Sequence, residues 1–330
     1  MDNIMRVNLF FRFIISVSLA CLGFSFTAIA QEFPPKKTIT MVVGFAAGGA
    51  SDNAARIIAK KLSEDLGQNV IVDNKPGAGG NIAHAYTATA PADGSVILLG
   101  SIGPLSIAPH LMKLSYDPQK DLAPLTMGMN FPNVLVVIPE LGVKNLKEFV
   151  ALAKKTPGQI TFASTGIGSA SHLQGELFNV RADIDTVHVP YKGGVLAVND
   201  LLAGHIQMVF SDMAPAMAHI KAGKLRAIAV TSAQRAAALP DVPTMIESGL
   251  AGFESGVWWS IVAPKGTPVE IVNRVNTELG KMIQLPEVRE TYAKLGVNTQ
   301  HSTPAKVVES IRAESPVMAK ILKAAGVEAE

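Results

Sequence analysis

The stretch that decides the fold runs from Ile39 to Arg56 and reads ITMVVGFAAGGASDNAAR. The apolar run from Thr38 to Val43 predicts a buried strand, and the segment from Asn53 to Leu66 has the apolar periodicity of a helix. A glycine-rich turn separates the two. A strand, a tight turn and a helix in this order are the building unit of α/β proteins, so the stretch predicts that fold class.

The glycine-rich turn is close to a common phosphate-binding pattern. Residues Gly44–Ser51, GFAAGGAS, differ from G-x-x-x-x-G-K-[ST] only in having Ala50 where the pattern has lysine. Unpaired amides at a helix N-terminus bind anions, and glycine lets an anion approach the backbone closely. Without the lysine, a carboxylate fits this turn better than a nucleotide triphosphate. The alternative is a structural turn in which Ser51 or Asp52 caps the helix.

The alternation of strands and helices continues along the chain. It predicts parallel or mixed sheets with helices on both faces. A second unit is expected after Pro132, where the strand Gln159–Ala163 precedes another glycine-containing turn and a further helix. The strand Trp258–Ala263 is expected to lead back to the first unit. The two units share no repeat of fixed period, so a solenoid is not expected.

Three further positions offer ligand-binding chemistry. The turn Ser164–His172, STGIGSASH, supplies four hydroxyl groups and two glycines before a helix, although a structural role is expected for His172 itself. The next loop contains Tyr191 and Lys192, of which the lysine could equally be a solvated surface charge. Asp212 follows a strand, where an open sheet presents ligand contacts, and the alternative is that it caps the next helix.

The first thirty residues have the layout of a secretory signal peptide. Arg6 and Arg12 give a positive start, Phe13–Ala20 is an apolar core, and Ala28–Ala30 is an A-x-A cleavage signal. Cleavage is expected after Ala30, which places the mature protein in the periplasm. The alternative is an uncleaved membrane anchor over residues 13–30, since that stretch is about long enough to span a bilayer.

Composition excludes several classes of function. Cleavage would remove the single cysteine, Cys21, so neither disulfides nor cysteine metal ligands are expected. The net charge of +2 is too small for a nucleic-acid-binding surface. The chain has neither a G-x-S-x-G elbow nor an H-E-x-x-H motif, and its seven histidines are scattered, so no catalytic residue, metal site or cofactor is predicted.

Six segments together resemble the Bug family of extracytoplasmic receptors of tripartite tricarboxylate transporters. They are GFAAGGASDNAARIIAKKLSEDLGQNVIVDNKPGAGGNIA, DGSVILLGSIGPLSIAPHL, FASTGIGSASHLQGELF, HVPYKGG, AGKLRAIAVTSAQRAAALPDVPTMIESGLAGFE and APKGTP. The resemblance implies a two-lobed periplasmic binding protein fold, type II-like, in which each lobe is a mixed sheet flanked by helices. A small carboxylate would bind in the cleft between the lobes. The chain departs from the family at Gly44 and Ala47, where proline is common.

The resemblance also implies particular boundaries, contacts and partners. The signal peptide would span residues 1–30, lobe 1 residues 31–130 plus 256–330, and lobe 2 residues 131–255. The receptor would be a monomer that delivers its ligand to membrane permease subunits or to a sensor protein. The competing hypothesis is an exported hydrolase or deaminase-like enzyme on a similar scaffold, which would need a nucleophile and a base within hydrogen-bond reach in the cleft. The ligand contacts implied for this chain are Phe45, Ala46, Gly48, Gly49, Ser51, Asp52, Ser101, Ser164, Thr165, Gly166, Gly168, Ser169, His172, Tyr191, Lys192 and Asp212.

Overall fold

A computed structural model describes residues 37–324 and 326–327 of the chain. The predicted signal peptide and its cleavage after Ala30 lie outside the described residues. The strands in the described part of the chain are β1 (Ile39–Val43), β2 (Val70–Asn74), β3 (Val96–Ser101), β4 (Leu122–Pro132), β5 (Val134–Val137), β6 (Ile160–Ser164), β7 (Thr186–Pro190), β8 (Met208–Ser211), β9 (Arg226–Val230), β10 (Gly256–Pro264) and β11 (Asn298–Thr299). The α-helices there are α1 (Ala50–Leu66), α2 (Asn81–Ala88), α3 (Leu146–Lys155), α4 (Ala170–Ala182), α5 (Gly194–Leu202), α6 (Met213–Lys221), α7 (Val269–Met282), α8 (Pro286–Lys294) and α9 (Pro304–Ala324).

The strands form two mixed sheets, as the α/β prediction requires. The six-stranded sheet has the order β11-β4-β10-β3-β1-β2, in which β1 is parallel to β2 and β3 while β10 is antiparallel to β3 and β4. The five-stranded sheet has the order β7-β6-β8-β5-β9, in which β6 is parallel to β7 and β8. The prediction that Trp258–Ala263 returns to the first unit is confirmed, because β10 pairs within the six-stranded sheet.

The chain passes between the two sheets at two places that lie side by side. Asn133 separates β4 from β5, and Thr231 follows β9. The amide of Asn133 donates to Thr231 Oγ1 over 3.0 Å, and the amide of Thr231 donates back to the Asn133 carbonyl over 2.9 Å. The amide of Ser255, just before β10, donates to the Thr231 carbonyl. The predicted lobe boundaries at residues 130/131 and 255/256 lie next to this hydrogen-bond network. The boundaries themselves remain a prediction.

Strand β4 is an element that the sequence analysis did not predict. It runs for 11 residues from Leu122 to Pro132 and contains Pro124 and Gly128, which usually indicate turns. Its antiparallel pairing with β10 has register shifts at Trp259/Ser260 and Ile261/Val262. A bulge locally interrupts the regular ladder of backbone hydrogen bonds between two strands. A proline, which has no N–H to donate, can therefore be accommodated in such a strand.

Both sheets are covered by apolar helix faces. The helices after β10 complete the first core through Ile271, Val275, Leu279 and Ile311. Separate apolar clusters cover the two faces of the five-stranded sheet. Among the helices described, none is both long enough and apolar enough to cross a membrane.

Candidate ligand-binding site

One pocket collects loops from both sheets. Its cavity volume is about 30 Å³, and the space between its lining atoms is about 510 Å³ when the open mouth is counted. The N-terminal ends of four helices meet at its wall: α1 at Gly49 to Ser51, α4 at Ser169 to Ser171, α5 at Gly194, and α6 at Asp212. Residues that line the pocket are Phe45, Ala46, Gly49, Ala50, Ser51, Ser101, Ile102, Gly103, Asn133, Thr165, Ser169, Ala170, Ser171, Gly194, Asp212, Val257 and Trp259.

The first loop presents the start of α1 to the pocket. Gly49 is the N-cap residue with extended backbone, so the helix begins at Ala50, three residues earlier than the sequence periodicity indicates. The expectation that Ser51 or Asp52 is the N-cap is therefore wrong. Ser51 lies within the first turn, where backbone N–H groups have no intrahelical acceptor. These amides and the Ser51 hydroxyl can donate to an anion in the pocket.

Asp52 holds the first loop together and does not line the pocket. Its carboxylate accepts hydrogen bonds from the Gly48 amide (2.9 Å), Arg56 Nε (2.9 Å) and Asn74 Nδ2 (3.0 Å). Asn74 Nδ2 also donates to the Phe45 carbonyl over 3.1 Å, which ties the loop to the end of β2. Burial alone would raise the pKa of Asp52, but the hydrogen bonds from Arg56, Gly48 and Asn74 outweigh it and lower the pKa.

Replacing Asp52 with alanine is expected to lower the free energy of unfolding by about 2–3 kcal/mol. The substitution leaves the Gly48 amide and Asn74 Nδ2 without their acceptor in a partly buried loop, and each loss costs about 1–3 kcal/mol. Urea unfolding followed by circular dichroism measures the change. The matched control is Asp65→Ala, because Asp65 is an exposed acid on the same helix. Equal stability of the two variants would contradict the role assigned to Asp52.

The second loop presents hydroxyl groups at the start of α4. Ser169 is the N-cap, and its Oγ accepts from the His172 amide over 3.3 Å. Ser171 Oγ accepts from the Thr165 amide over 2.9 Å and lies 3.2 Å from both Thr165 Oγ1 and Ser169 Oγ. The three hydroxyls form a connected group on the pocket wall. Each can rotate to donate to a bound anion.

His172 and Ser164 lie behind this loop. His172 Nδ1 accepts from the Gly168 amide over 3.3 Å, and its ring stacks on that of His188 with centroids 4.2 Å apart. Burial lowers the pKa of His172 to about 4, and burial together with the neighbouring His172 lowers the pKa of His188 to about 3. Both rings are therefore neutral at pH 7, and the contacts of His172 fit the structural role expected for it.

A serine–histidine pair occurs in this cluster, 2.6 Å apart between Ser164 Oγ and His188 Nε2. The Ser164 hydroxyl also accepts from the Gly166 amide over 3.0 Å, and Ser164 is completely buried. Neither residue lines the pocket. A buried hydroxyl beside a histidine of pKa about 3 has neither access to a substrate nor an effective base, so the pair lacks the geometry of a nucleophile.

The third loop meets the first across the pocket. The amide of Ala46 donates to the Lys192 carbonyl over 3.1 Å, whereas the Lys192 side chain is exposed. The Tyr191 hydroxyl donates to Asp200 Oδ2 over 2.6 Å, away from the pocket lining. Glycines also let the backbones of two other loops approach each other closely. A Cβ on Gly166 would lie 2.5 Å from the Gly79 amide nitrogen, so neither loop has room for a side chain at Gly166.

Half of the predicted site residues line the pocket. These are Phe45, Ala46, Gly49, Ser51, Ser101, Thr165, Ser169 and Asp212. The other predicted residues lie in or beside the same loops but off the lining: Gly48, Asp52, Ser164, Gly166, Gly168, His172, Tyr191 and Lys192. The contacts implied by the family resemblance did not include the lining residues Ala50, Ile102, Gly103, Asn133, Ala170, Ser171, Gly194, Val257 and Trp259, although the sequence analysis had counted the Ser171 hydroxyl as ligand-binding chemistry. Ala50, Ala170, Ser171 and Gly194 could have been found, because each occupies the first turn after a predicted glycine loop.

The electrostatic character of the pocket comes from helix ends. Of the described residues, those that line it include no lysine, arginine or histidine. The positive ends of four helix dipoles and the hydroxyl donors are therefore what can attract an anion. Asp212 is the acidic group in the lining, and burial raises its pKa to about 7. The described residues contain no cluster of acidic, cysteine or histidine side chains that could hold a metal ion.

Comparison with known proteins identifies the family. A family model described as "Tripartite tricarboxylate transporter family receptor" matches residues 54–327. The chain belongs to this receptor family. The resemblance of the six sequence segments to the Bug receptors is thereby confirmed, since a solved structure of the periplasmic binding protein BugD is 36% identical with a TM-score of 0.86. That similarity covers 90% of this chain and 100% of BugD.

Two other receptors of known structure carry a ligand. Rpa4515 of R. palustris, with adipate, is 32% identical with a TM-score of 0.87, covering 91% of this chain and 100% of that protein. MatC of Rhodopseudomonas palustris, with bound malate, is 30% identical with a TM-score of 0.83, covering 87% and 99% of the two chains. The predicted fold class is confirmed: the chain has the two-lobed architecture of periplasmic binding proteins. We call the lobe built on the six-stranded sheet lobe 1 and the lobe built on the five-stranded sheet lobe 2.

Proposed function

We propose that this chain is a periplasmic receptor that captures a small organic carboxylate and delivers it to a tripartite tricarboxylate-type membrane transporter. Capture involves no covalent chemistry. The protein acts as a monomer after cleavage behind Ala30, and a sensor protein takes the place of the permease where no dedicated permease exists. The lobes divide at residues 130/131 and 255/256, next to the two chain crossings.

The observation that carries this proposal is the convergence of four helix N-termini on one pocket without a basic side chain in its lining. Such a pocket stabilises negative charge by oriented amides and hydroxyls. The bound carboxylate of two receptors with the same fold supports the proposal. The predicted residues in the lining are the proposed contacts, and Ala50, Ser171 and Gly194 join them through their first-turn amides.

Closure of the two lobes is the proposed mechanism. The first and third loops contact each other directly, through the hydrogen bond from the Ala46 amide to the Lys192 carbonyl. A ligand that contacts both lobes favours the closed arrangement by the difference between its affinities for the closed and open forms. The closed form is then the signal that the membrane component recognises.

A carboxylate ligand is expected to raise the melting temperature of the mature protein and to remain chemically unchanged. At a ligand concentration 100 times Kd, binding stabilises the folded state by about 2.7 kcal/mol. Thermal-shift measurements over aliphatic, aromatic and amino-acid carboxylates test this, and NMR of the recovered ligand tests for turnover. Sodium chloride at equal ionic strength is the control. Consumption of the ligand would contradict the receptor function, as would the absence of a shift with every carboxylate.

The competing hypothesis of an exported enzyme finds less support. Its requirement is a nucleophile and a base within hydrogen-bond reach in the pocket. The Ser164–His188 pair meets the distance but lies behind the pocket wall with a completely buried hydroxyl. The receptors of this family with solved structures are solute-binding proteins, which supports the receptor function over catalysis.

A further inference from the structure

Asp212 is a carboxyl group without a partner on the pocket wall. It is the N-cap residue of α6, but its side chain makes no capping hydrogen bond. Among the described residues, none donates a hydrogen bond to its carboxyl oxygens and none forms an ion pair with them. The contrast with Asp52 is direct, since Asp52 accepts three hydrogen bonds within its own lobe. Asp212 is therefore an acceptor left open toward the pocket.

Asn133 supplies a second open acceptor. The residue is 2% exposed, lines the pocket, and its Oδ1 has no hydrogen-bond partner in the described protein. Its Nδ2 donates to Gln174 Oε1 over 2.9 Å and lies 3.4 Å from the Phe210 carbonyl oxygen. The carbonyl fixes the orientation of the amide, because a flipped side chain would place two oxygen atoms against each other.

The pocket therefore has two kinds of polar wall. Helix N-termini and hydroxyls donate hydrogen bonds, whereas Asp212 and Asn133 Oδ1 accept them. A ligand that carries only carboxylates satisfies the donors but leaves the acceptor Asn133 Oδ1 unpaired, and it meets a like charge at Asp212 whenever that group is ionised. A buried site built to hydrogen-bond a donor discriminates strongly against a ligand that lacks one, because its own polar groups then stay unsatisfied.

We propose that Asp212 and Asn133 select a carboxylate that also carries a hydrogen-bond donor, either an ammonium or a hydroxyl group. This inference rests on the proposed carboxylate-binding function and specifies its ligand class. The donor substituent lies against Asp212 and Asn133 Oδ1, and the carboxylate lies against the first turns of α1 and α4. Burial raises the pKa of Asp212 to about 7 in the protein without ligand. A ligand ammonium group that pairs with the carboxylate would favour its ionised form.

Calorimetry with two matched series of probes tests the proposal. The first is succinate, L-malate and L-aspartate, and the second is glutarate, 2-hydroxyglutarate and L-glutamate. Within each series the chain and the two carboxyl groups stay the same, while the substituent is hydrogen, hydroxyl or ammonium. In at least one series, the wild-type protein is expected to bind a donor-bearing probe at least about tenfold more tightly than the unsubstituted one, since one satisfied charged hydrogen bond contributes that much.

The variant Asp212→Asn separates recognition from a structural role. It keeps the shape of the side chain and removes its charge. The affinity for the ammonium probe is expected to fall at least about tenfold, the affinity for the hydroxyl probe to fall less, and the affinity for the unsubstituted dicarboxylate to stay equal or rise. The matched control is Asp185→Asn, an exposed acid of the same lobe outside the pocket lining, which should change none of these.

The outcomes distinguish this inference from the proposed function. If succinate and glutarate both bind the wild-type protein as tightly as their substituted relatives, the inference is wrong and carboxylate binding stands. Equal weakening of every probe in Asp212→Asn would also overturn it, because that pattern indicates a structural role. If no probe of either series binds, the inference fails, and the proposed function fails with it only when no carboxylate of the wider thermal-shift set binds either.

Discussion

Replacing Gly103 with alanine is expected to weaken ligand binding by about tenfold to hundredfold while both lobes remain folded. Gly103 belongs to the pocket lining on the lobe 1 side, two residues after the end of β3. A Cβ at this position would lie 2.8 Å from the Gly168 carbonyl oxygen and 3.1 Å from Ser169 Cα, which are backbone atoms of the opposite lobe. The added methyl group therefore conflicts with lobe closure and with little else.

The expected magnitude follows from the cost of the clash. Inserting a methyl group into a tightly packed contact costs about 1–3 kcal/mol, and each 1.4 kcal/mol lost from the closed form weakens binding about tenfold. Gly103 is a better choice than Gly79 or Gly166, because those two have positive φ and alanine would strain their own loops. Calorimetry with the carboxylate that gives the largest thermal shift measures the effect.

The control for this substitution is Gly256→Ala. Gly256 also has a backbone conformation that alanine tolerates, and a Cβ there meets no atom within 4 Å. Its affinity should match that of the wild type. Urea unfolding without ligand should give similar stability for the two variants. Undiminished affinity in Gly103→Ala would mean that the contact between the loops of Gly103 and Gly168 is not needed for binding.

Asp212→Asn is expected to stabilise the protein without ligand at pH 8. Burial raises the pKa of Asp212 from an ordinary value of 3.8 to about 7 in the folded protein. Between these two values the folded protein binds more protons than the unfolded chain, so stability falls as pH rises from about 4 to about 7. The fall in stability is less than roughly 4 kcal/mol, which is the full linkage value for such a pKa difference, because solvent reaches the half-buried carboxyl and screens its charge.

The difference between the variant and the wild type isolates this group from all others that titrate. At pH 8 the wild type carries an ionised, half-buried carboxylate, which asparagine does not have. At pH 4 the carboxyl is protonated in the folded protein, so the two proteins should differ little. Urea unfolding of ligand-free protein at both pH values measures the effect, with Asp185→Asn as control. A variant less stable than the wild type at pH 8 would show that the ionised carboxylate makes a stabilising contact.

These two results would connect binding with stability at one residue. An unpaired acid in a pocket destabilises the empty protein, and the ligand compensates when its donor group pairs with the acid. Sites that bind or react often keep such local costs, and removing them raises stability at the expense of function. Asp212→Asn should show both effects in the same molecule.

Much of the fold was readable from local patterns. The run into Val43, the glycine turn and the helix to Leu66 indicated a strand–turn–helix unit, and the structure contains it with the helix start moved to Ala50. Periodicity depends on residues a few positions apart, so one sequence suffices to reveal it. Strand β4 was missed because Pro124 and Gly128 oppose a strand locally, and only its pairing with the bulged β10 overrides that preference.

The chemistry of the site was determined in part by the sequence and in part by the tertiary structure. The glycine and hydroxyl loops alone indicated an anion site at helix N-termini, because unpaired first-turn amides are a local property of a helix. Asp52 lies in the first turn of α1 and Asp212 is the N-cap of α6, and the sequence analysis left both a capping and a ligand-binding role open for each acid. Folding brings Asn74, 22 residues away in sequence, onto Asp52 and leaves Asp212 without a partner. Two donors to Asp52, Gly48 and Arg56, are near neighbours in sequence, and only the tertiary structure adds Asn74, which ties the loop to β2, and exposes Asp212 to the pocket.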